Sequence, residues 1–283
     1  MLGLVVGASS VGASSISPAT SGAASSGAAS SGAGSSGAAS AATAAAPAPT
    51  PAPPTGERVV LDSGRSYVLH VPPQLRQTPD AAAGRPVMVV LHAVLTGPAD
   101  AAASTGFDAL ADRAGRLVAY PYGIKRSFNA GLCCGEAVVQ EVDDVTFLAE
   151  VVDDLRRRGA GRVSVVGFSN GGMMAYRFAC ARPDLVDTVG VLSGTLEVPR
   201  CAGPIRALHL HGDRDTAVPF DGEAFSDRLS AYLRPVPEIA PAAPGSSITV
   251  RELEGYPHRW TVPGDAVDAT AEFWAFARMA EPA

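Results

Sequence analysis

Short runs of apolar residues alternate along this chain with segments of helical periodicity. The runs are rich in Val, Leu and Ile, and each has about the length of one strand. They are Pro86–His92, Arg116–Pro121, Arg162–Phe168, Thr188–Gly194 and Ile205–Gly212. Continuous apolar runs of this kind are typical of strands that are buried on both faces of a parallel sheet. The alternation therefore predicts an α/β fold with a mostly parallel sheet and helices on both faces.

Further elements support that prediction. Ser66–Pro72 (SYVLHVP) alternates apolar and polar residues, as a half-buried strand does. Asp143–Gly159 begins with an Asp cap, has apolar residues at helical spacing and ends with a basic turn and a glycine. Helical spacing also recurs over Gly171–Pro183 and Asp265–Ala280.

The first 56 residues differ from the rest, because they contain no Asp, Glu, Lys or Arg. Ser21–Ser40 repeats the pentad SGAAS with one departure, and Pro47–Pro54 has the sequence PAPTPAPP. Such segments have too little large apolar surface to offset the entropy lost on ordering. We predict a disordered tail and linker over residues 1–56 and one globular domain over 57–283.

The extreme N-terminus, MLGLVVGASS, has a short apolar stretch followed by small residues. It lacks the positive segment and the longer apolar run of a signal peptide. We interpret it as a truncated or degenerate signal, with an intact signal as the alternative. The formal net charge of −6 argues against a nucleic-acid partner. No run of eighteen apolar residues occurs, so the sequence predicts no membrane-spanning helix.

The segment Val165–Tyr176 (VVGFSNGGMMAY) holds a G-x-S-x-G pattern between a predicted strand and a predicted helix. In that context the pattern is a nucleophile elbow, a sharp turn that exposes a serine. Gly167 and Gly171 would be required because larger residues would collide with neighbouring chain. Ser169 is therefore the candidate nucleophile. The alternative is a chance pattern in a glycine-rich chain, with the glycines serving only helix–strand packing.

A nucleophilic serine needs a base, and the base needs an orienting carboxylate. After a nucleophile elbow the order along the chain is Ser, then Asp or Glu, then His. Asp213 and Asp215 follow the strand Ile205–Gly212, and His258 is the one histidine downstream of both. The order predicts His258 as the base and leaves the two aspartates open.

At this point the sequence resembles the poly(3-hydroxybutyrate) depolymerase-like serine esterases, a family that also contains feruloyl and acetylxylan esterases. The resemblance covers about Pro86 to Arg278. It rests on the ordered blocks VVLHAVLTG, GFDALAD, VAYPYG, FNAGLCCG, VDDVTFL, VVGFSNGGMMAYRFAC, LHLHGDRDTAVPFDG and HRW. It implies an α/β-hydrolase fold, with Asp215 as the acid, Asp213 as a turn residue and His258 as the base.

The resemblance also implies an oxyanion hole made by two backbone N–H groups. One belongs to Asn170, directly after the nucleophile, and the other to Val94. Relatives usually have glycine where this chain has Ala93; if that position needs a positive φ, alanine is strained there. The stretch Glu223–Ser247 replaces a segment that helps to wall the acyl pocket, so the substrate class is not carried over.

The four cysteines occur at positions 133, 134, 180 and 201. An even number behind a tail that resembles a secretory leader predicts two disulfides. A bridge between the neighbours Cys133 and Cys134 would be a strained small ring. We therefore expect each of them to pair with one of Cys180 and Cys201, in either combination. Four reduced cysteines in a cytosolic enzyme are the alternative. Spacing suited to zinc does not occur, and we expect no metal and no cofactor.

These observations favour a secreted, extracellular serine esterase whose ester substrate is small or polymeric. Polyester, feruloyl, acetyl and short-chain acyl esters all remain open. Two alternatives are a non-catalytic binding module on a hydrolase fold, for which Ala93 is the hint, and a serine peptidase. A peptidase would usually need an added lid or propeller domain, for which the residues after the linker leave little room.

Overall fold

The computed structural model of the protein describes residues 56–76, 83–222, 225–226, 231–232 and 243–278. The predicted tail over residues 1–56 lies outside them, except for Gly56. The strands are β1 Glu57–Val60, β2 Ser66–His70, β3 Val87–Leu91, β4 Leu117–Pro121, β5 Val163–Phe168, β6 Thr188–Leu192, β7 Arg206–Gly212, β8 Phe225–Ser226, β9 Ala231–Tyr232 and β10 Ser247–Leu253. The helices are α1 Pro98–Thr105, α2 Phe107–Ala114, α3 Gly135–Val139, α4 Asp144–Arg157, α5 Asn170–Ala181 and α6 Ala269–Arg278.

Within the described residues, eight strands form one sheet in the order β1-β2-β4-β3-β5-β6-β7-β10. Strand β2 pairs antiparallel with β1 and with β4, and all other neighbours in this sheet are parallel. The short strands β8 and β9 form a separate antiparallel pair. The predicted α/β class with a mostly parallel sheet is confirmed.

Two apolar cores, one on each face, bury the sheet. One contains residues of α4 and α5, among them Phe147 and Tyr176, together with Val89 of β3 and Val165 of β5. The other contains residues of α1, α2 and α6. Every residue of β3, β4 and β6 is buried, which explains why these strands appear in the sequence as continuous apolar runs.

All six predicted strands and all three predicted helices are present. Helix α4 begins as its sequence indicates, because the Asp143 carboxylate accepts a hydrogen bond from the Thr146 N–H. Helix α5 begins at Asn170, directly after the candidate nucleophile. Helix α6 begins at Ala269, four residues later than the start of the predicted segment.

The predicted cysteine pairing is wrong. Cys133 is bridged to its neighbour Cys134, and Cys180 is bridged to Cys201. The Cys134 N–H donates to the carbonyl of Phe128, whose backbone bonds the side chain of Asn170 at the start of α5.

Cys180 lies ten residues further along the same helix, which is about 15 Å away. A disulfide needs Cα atoms within about 7 Å, so the two loop cysteines cannot reach that end of the helix. The chain folds back there instead: the Ala202 N–H donates to the Cys180 carbonyl at 2.7 Å, and this holds Cys201 beside it.

Among the described residues, no helix has both the length and the apolar character needed to cross a membrane. The parallel strands β3, β5 and β7 all end at one edge of the sheet, because parallel strands share their direction. The loops that follow them carry His92, Ser169 and Asp215. The fold therefore brings three distant sequence segments to one edge of the sheet.

Candidate active site

Ser169 occupies the turn between β5 and α5 with φ 54° and ψ −124°, a conformation that non-glycine residues rarely adopt. A Cβ atom on Gly167 would overlap the backbone of Gly171, and one on Gly171 would overlap the carbonyl oxygen of Leu91. The two glycines of the pattern therefore permit close backbone approach. The local geometry is that of the predicted strand–turn–helix, with the serine at its apex.

Asp215 and His258 are in direct contact. His258 Nδ1 lies 2.7 Å from Asp215 Oδ2. The other carboxylate oxygen accepts the backbone N–H groups of Ala217 at 3.0 Å and Val218 at 2.8 Å. Burial raises the pKa of Asp215, but the hydrogen bond and charge of His258 outweigh burial, and the pKa lies below its ordinary value. Asp215 is therefore an ionised carboxylate held in one orientation.

Asp213, the other aspartate that the spacing left open, has a different environment. It is exposed, and its carboxylate accepts the Gly255 N–H at 2.6 Å. That bond ties the turn after β7 to the turn after β10. The structure thus brings Asp215 to His258 and leaves Asp213 in a turn.

The ring of His258 packs against Phe168, the residue before Ser169, with 4.7 Å between ring centroids. Because Nδ1 bonds Asp215, Nε2 is the ring nitrogen left for another partner. The aromatic contact and the carboxylate together fix the plane of the imidazole next to the nucleophile turn.

A buried chain of hydrogen bonds lies behind Asp215. Tyr176 on α5 bonds His209 Nδ1 at 3.0 Å, His209 Nε2 bonds His211 Nδ1 at 3.0 Å, and His211 Nε2 bonds the Val218 carbonyl at 2.7 Å. A carbonyl can only accept, so His211 carries its proton on Nε2 and accepts from His209. His209 in turn accepts from the Tyr176 hydroxyl.

This order of donors and acceptors requires that both imidazoles, His209 and His211, are neutral. Burial is the main cause that lowers the pKa of both His209 and His211. His211 Nε2 also lies 3.6 Å from Asp215 Oδ2. The order of residues along the chain excludes both histidines as the base. It gives no indication that they form this buried hydrogen-bond chain.

The loop after β3 begins with a buried histidine. His92 Nδ1 bonds the Ala93 carbonyl at 2.8 Å, and the Gly123 N–H donates to His92 Nε2 at 3.0 Å. Burial lowers the pKa of His92 to about 4, although the hydrogen bond to the Ala93 carbonyl acts to raise this pKa. A neutral His92 therefore joins the loops after β3 and β4.

The expected strain at Ala93 is not found. The residue with positive φ in this loop is Leu95, at 64°. Thr96 donates its N–H to the Ala93 carbonyl at 3.2 Å, so Leu95 is the third residue of a turn, where positive φ is required in a type II geometry. Among the described residues, no turn or loop carbonyl accepts from the N–H of Val94 or Asn170, the two predicted oxyanion donors.

The side chain of Asn170 has a role that the sequence did not reveal. Its amide oxygen accepts the Phe128 N–H at 2.9 Å, and its amide nitrogen donates to the Phe128 carbonyl at 2.9 Å. This pair of bonds holds the loop after β4 against the start of α5. A polar residue after the nucleophile was the available signal, but its partner lies 42 residues away.

A cavity of about 270 Å³ opens beside His258, and we call it the α1 cavity. Residues of α1, the loop after β3, Phe168 and Trp260 line it. In the described part of the chain, no group of three His, Cys, Asp or Glu residues is arranged to hold a metal ion.

Comparison with curated proteins identifies relatives named as esterases. A putative esterase NocK of Nocardia uniformis subsp. tsuyamanensis is 35% identical over 205 residues, which are 69% of this chain and 56% of that protein. Feruloyl esterase C of Emericella nidulans is 42% identical over 87 residues, 28% of this chain and 32% of the relative. A bifunctional acetylxylan esterase/xylanase XynS20E of Neocallimastix patriciarum is 24% identical over 158 residues, 54% of this chain and 22% of the relative.

The chain thus spans little more than half of the first relative and a third or less of the other two. No protein-family model matches the chain. The relatives confirm the resemblance to feruloyl and acetylxylan esterases that the sequence motifs indicate.

Solved structures establish the fold. The acetyl xylan esterase from Aspergillus awamori superposes with a TM-score of 0.54 at 16% identity, over 78% of this chain and 98% of that one. An S-formylglutathione hydrolase from Agrobacterium tumefaciens gives a TM-score of 0.54 at 16% identity, over 78% of this chain and 92% of that one. The predicted α/β-hydrolase fold is confirmed.

Proposed function

We propose that this chain is a serine carboxylic-ester hydrolase that works through an acyl-enzyme. One observation carries the proposal: Asp215 holds His258 through a 2.7 Å bond on the edge of the sheet where Ser169 sits in a strained turn. This arrangement supports Ser169 as nucleophile, His258 as base and Asp215 as the orienting acid. The relatives named as esterases support ester hydrolysis as the reaction.

In the proposed mechanism, Ser169 Oγ attacks the carbonyl carbon of the ester while His258 Nε2 takes the hydroxyl proton. The N–H groups of Asn170 and Val94 bind the negative oxygen, and the start of α5 adds its dipole. The bond to the alcohol oxygen then breaks as His258 returns its proton to that oxygen. Asp215 stabilises the imidazolium between these transfers.

The second half of the reaction repeats these transfers with water. His258 takes a proton from water, whose oxygen attacks the acyl carbon bonded to Ser169. The carbon–Oγ bond breaks, His258 gives the proton back to Ser169, and the carboxylic acid leaves. One ester and one water give one acid and one alcohol.

Substitution of the proposed residues tests this mechanism. Ser169→Ala and His258→Ala should each lower kcat by several orders of magnitude, since such residues act as a unit. Asp215→Asn should cost about 10⁴-fold, because the amide selects the wrong imidazole tautomer. Asp213→Asn, two residues away, is the matched control and should lower kcat only slightly. A larger loss for Asp213→Asn than for Asp215→Asn would contradict the assignment of the acid.

Reaction with a fluorophosphonate separates an esterase from a non-catalytic binding module. Wild-type protein should be labelled at Ser169, and Ser169→Ala should not. Methyl ferulate, p-nitrophenyl acetate and a hydroxybutyrate oligomer then give the acyl preference. Feruloyl and acetyl esters come first, because the names of the curated relatives refer to them.

We also propose that the enzyme is extracellular. The two cysteine bridges support this, since disulfides persist in oxidising compartments. Residues 1–56 would then form the leader and linker that precede the catalytic domain. Mass spectrometry of the non-reduced protein from its natural host should show no free thiol, and four free thiols would contradict export.

A further inference from the structure

We propose that the α1 cavity is the site for the alcohol part of the ester, and that it selects largely apolar alcohols that carry no negative charge. This inference rests on the proposed esterase function. It concerns the half of the ester that leaves with the alcohol oxygen, beyond the atoms that react at Ser169 and His258.

The position of the α1 cavity identifies the half of the ester that it can receive. His258 and Phe168 line it, whereas Ser169, Asn170 and Val94 are not among the described residues that do. In acyl transfer the acyl carbon becomes bonded to the serine, and the histidine gives its proton to the leaving alcohol oxygen. The alcohol oxygen therefore lies against His258, and the rest of the alcohol extends into the space beside that ring.

The walls of the α1 cavity are largely apolar and well supported. Leu91, Ala101, Phe168 and Trp260 supply apolar surface. Trp260 is buried, and its indole N–H donates to the Thr270 hydroxyl at 2.9 Å, which fixes the plane of the ring. An apolar wall with a fixed shape binds apolar groups and discriminates by size.

The charges at the α1 cavity disfavour anionic alcohols. Arg259 lines the cavity, but its guanidinium is held in a two-bond pair with Asp265 at 2.6 and 2.7 Å. Asp100 also lines it, with a carboxylate oxygen on the Gly97 N–H at 2.7 Å. Among the residues that the structure describes, Asp100 forms no ion pair, so an alcohol that carries phosphate or carboxylate would be repelled by this carboxylate.

The α1 cavity is partly open, and its volume of about 270 Å³ suits a small alcohol group. A benzyl group or a short aliphatic chain fits within that space. A longer chain would have to leave through the open side, past Ser104, which is exposed and lines the cavity.

Two substitutions on α1 give a matched test. Ser104→Trp places an aromatic ring at the mouth of the α1 cavity from an exposed position, so folding should be preserved. Ala103→Trp places the same ring on the preceding residue, which is exposed and does not line the cavity. Two ester series are compared: acetates of methanol, butanol and benzyl alcohol, and methyl esters of acetic, butyric and hexanoic acids.

Ser104→Trp should lower kcat/KM for benzyl acetate by about tenfold or more and change methyl acetate by less than about twofold. The methyl ester series should keep its wild-type preference. Ala103→Trp should resemble wild type on both series, and wild type should prefer benzyl acetate to acetates of charged alcohols such as glycolate.

A selective loss on long acyl chains, or an equal loss on both series, would overturn the alcohol assignment while the esterase function stands. An absence of selective loss would overturn it as well. Wild-type protein inactive on every ester would overturn both the alcohol site and the proposed function.

Discussion

His211 is the residue whose role depends most on its long-range contacts. Its Nε2 bonds the carbonyl of Val218, and the N–H of that same residue bonds the Asp215 carboxylate. The turn that orients the acid is therefore anchored to β7 through one imidazole. His209 and Tyr176 fix the tautomer of that imidazole.

Substitution of His211 should affect kcat more than KM. His211→Asn removes the donor to Val218 and should lower kcat by about 10–100-fold, because small misplacements of catalytic groups are costly. His211→Gln keeps an N–H near the position of Nε2 and should retain most of the activity. Steady-state kinetics on folded protein, checked by circular dichroism, measures both. Equal kcat values for the two variants would show that the donor has no positioning role.

The glycines beside Ser169 give a second residue-scale prediction. A Cβ on Gly171 would lie 2.2 Å from the backbone carbonyl oxygen of Leu91, which cannot move without breaking the sheet. A Cβ on Gly172 would lie 2.9 Å from the side chain of Val191 and 3.1 Å from the carbonyl oxygen of Gly167, which is a milder overlap. Gly171→Ala should therefore cost more than about 3 kcal/mol of unfolding free energy, and Gly172→Ala about 1 kcal/mol. Urea unfolding compares them, and similar losses would contradict the backbone clash.

Chain order and local turns are enough to propose candidate residues of the site, whereas contacts between distant residues leave no signal in the sequence. Ser169 and His258 follow from the elbow and from the order of the triad. The resemblance, and then the bond to His258, distinguish Asp215 from Asp213. The amide pair of Asn170 with Phe128 joins residues on two loops, and no local pattern encodes it.

At the scale of elements, burial decides which segments the sequence predicts. Strands β3 to β7 are buried on both faces and leave continuous apolar runs. Strand β10 lies at the edge of the sheet, and most of its residues are exposed, so Arg251 and Glu252 interrupt any apolar pattern. Helices α1 and α2 are separated by a single residue, Gly106 at φ 64°, and each is too short to show a clear period.

The two cysteine bridges should contribute unequally to stability. The bridge between Cys180 and Cys201 spans 21 positions and should stabilise by about 3 kcal/mol through the unfolded chain. The bridge between the neighbours Cys133 and Cys134 encloses no chain segment between them, so its entropic contribution to stability is nearly absent.

The double variant Cys180→Ala/Cys201→Ala should therefore have a much lower Tm than Cys133→Ala/Cys134→Ala. Each removes two buried sulfur atoms, so the difference reports loop closure. Differential scanning calorimetry under non-reducing conditions measures both. A greater Tm loss for the neighbouring pair would contradict the loop-closure argument.

At the scale of the whole molecule, the sheet serves as a frame that holds imidazoles in a neutral state. His92 directly follows β3, His209 and His211 lie within β7, and each is almost completely buried. Their hydrogen bonds use one nitrogen as donor and the other as acceptor, which a doubly protonated ring cannot provide. The same burial that positions the loops of the site makes the fold sensitive to acid.

Stability should therefore fall as the pH drops from 7 to 5. Burial lowers the pKa of His92 to about 4, and it lowers the pKa of His209 and His211 as well, while unfolded histidines titrate near 6.5. Below that value the unfolded chain binds protons that the folded chain does not, so the free energy of unfolding decreases with falling pH. Each such histidine contributes a slope that rises from a small value at pH 7 towards a limit of about 1.4 kcal/mol per pH unit near pH 5, and for His92 the slope ends near pH 4.

Urea unfolding at several pH values between 7 and 5 measures this slope above the range in which most carboxylates titrate. His92→Gln keeps an amide in place of the imidazole and removes the proton that the unfolded chain would bind. Its slope, averaged from pH 7 to 5, should therefore be smaller than that of wild type by about 1 kcal/mol per pH unit, even if the variant is less stable at pH 7. A slope equal to that of wild type would mean that His92 takes up its proton in the folded protein. In that case the bond from the Gly123 N–H to a neutral Nε2 would be wrong.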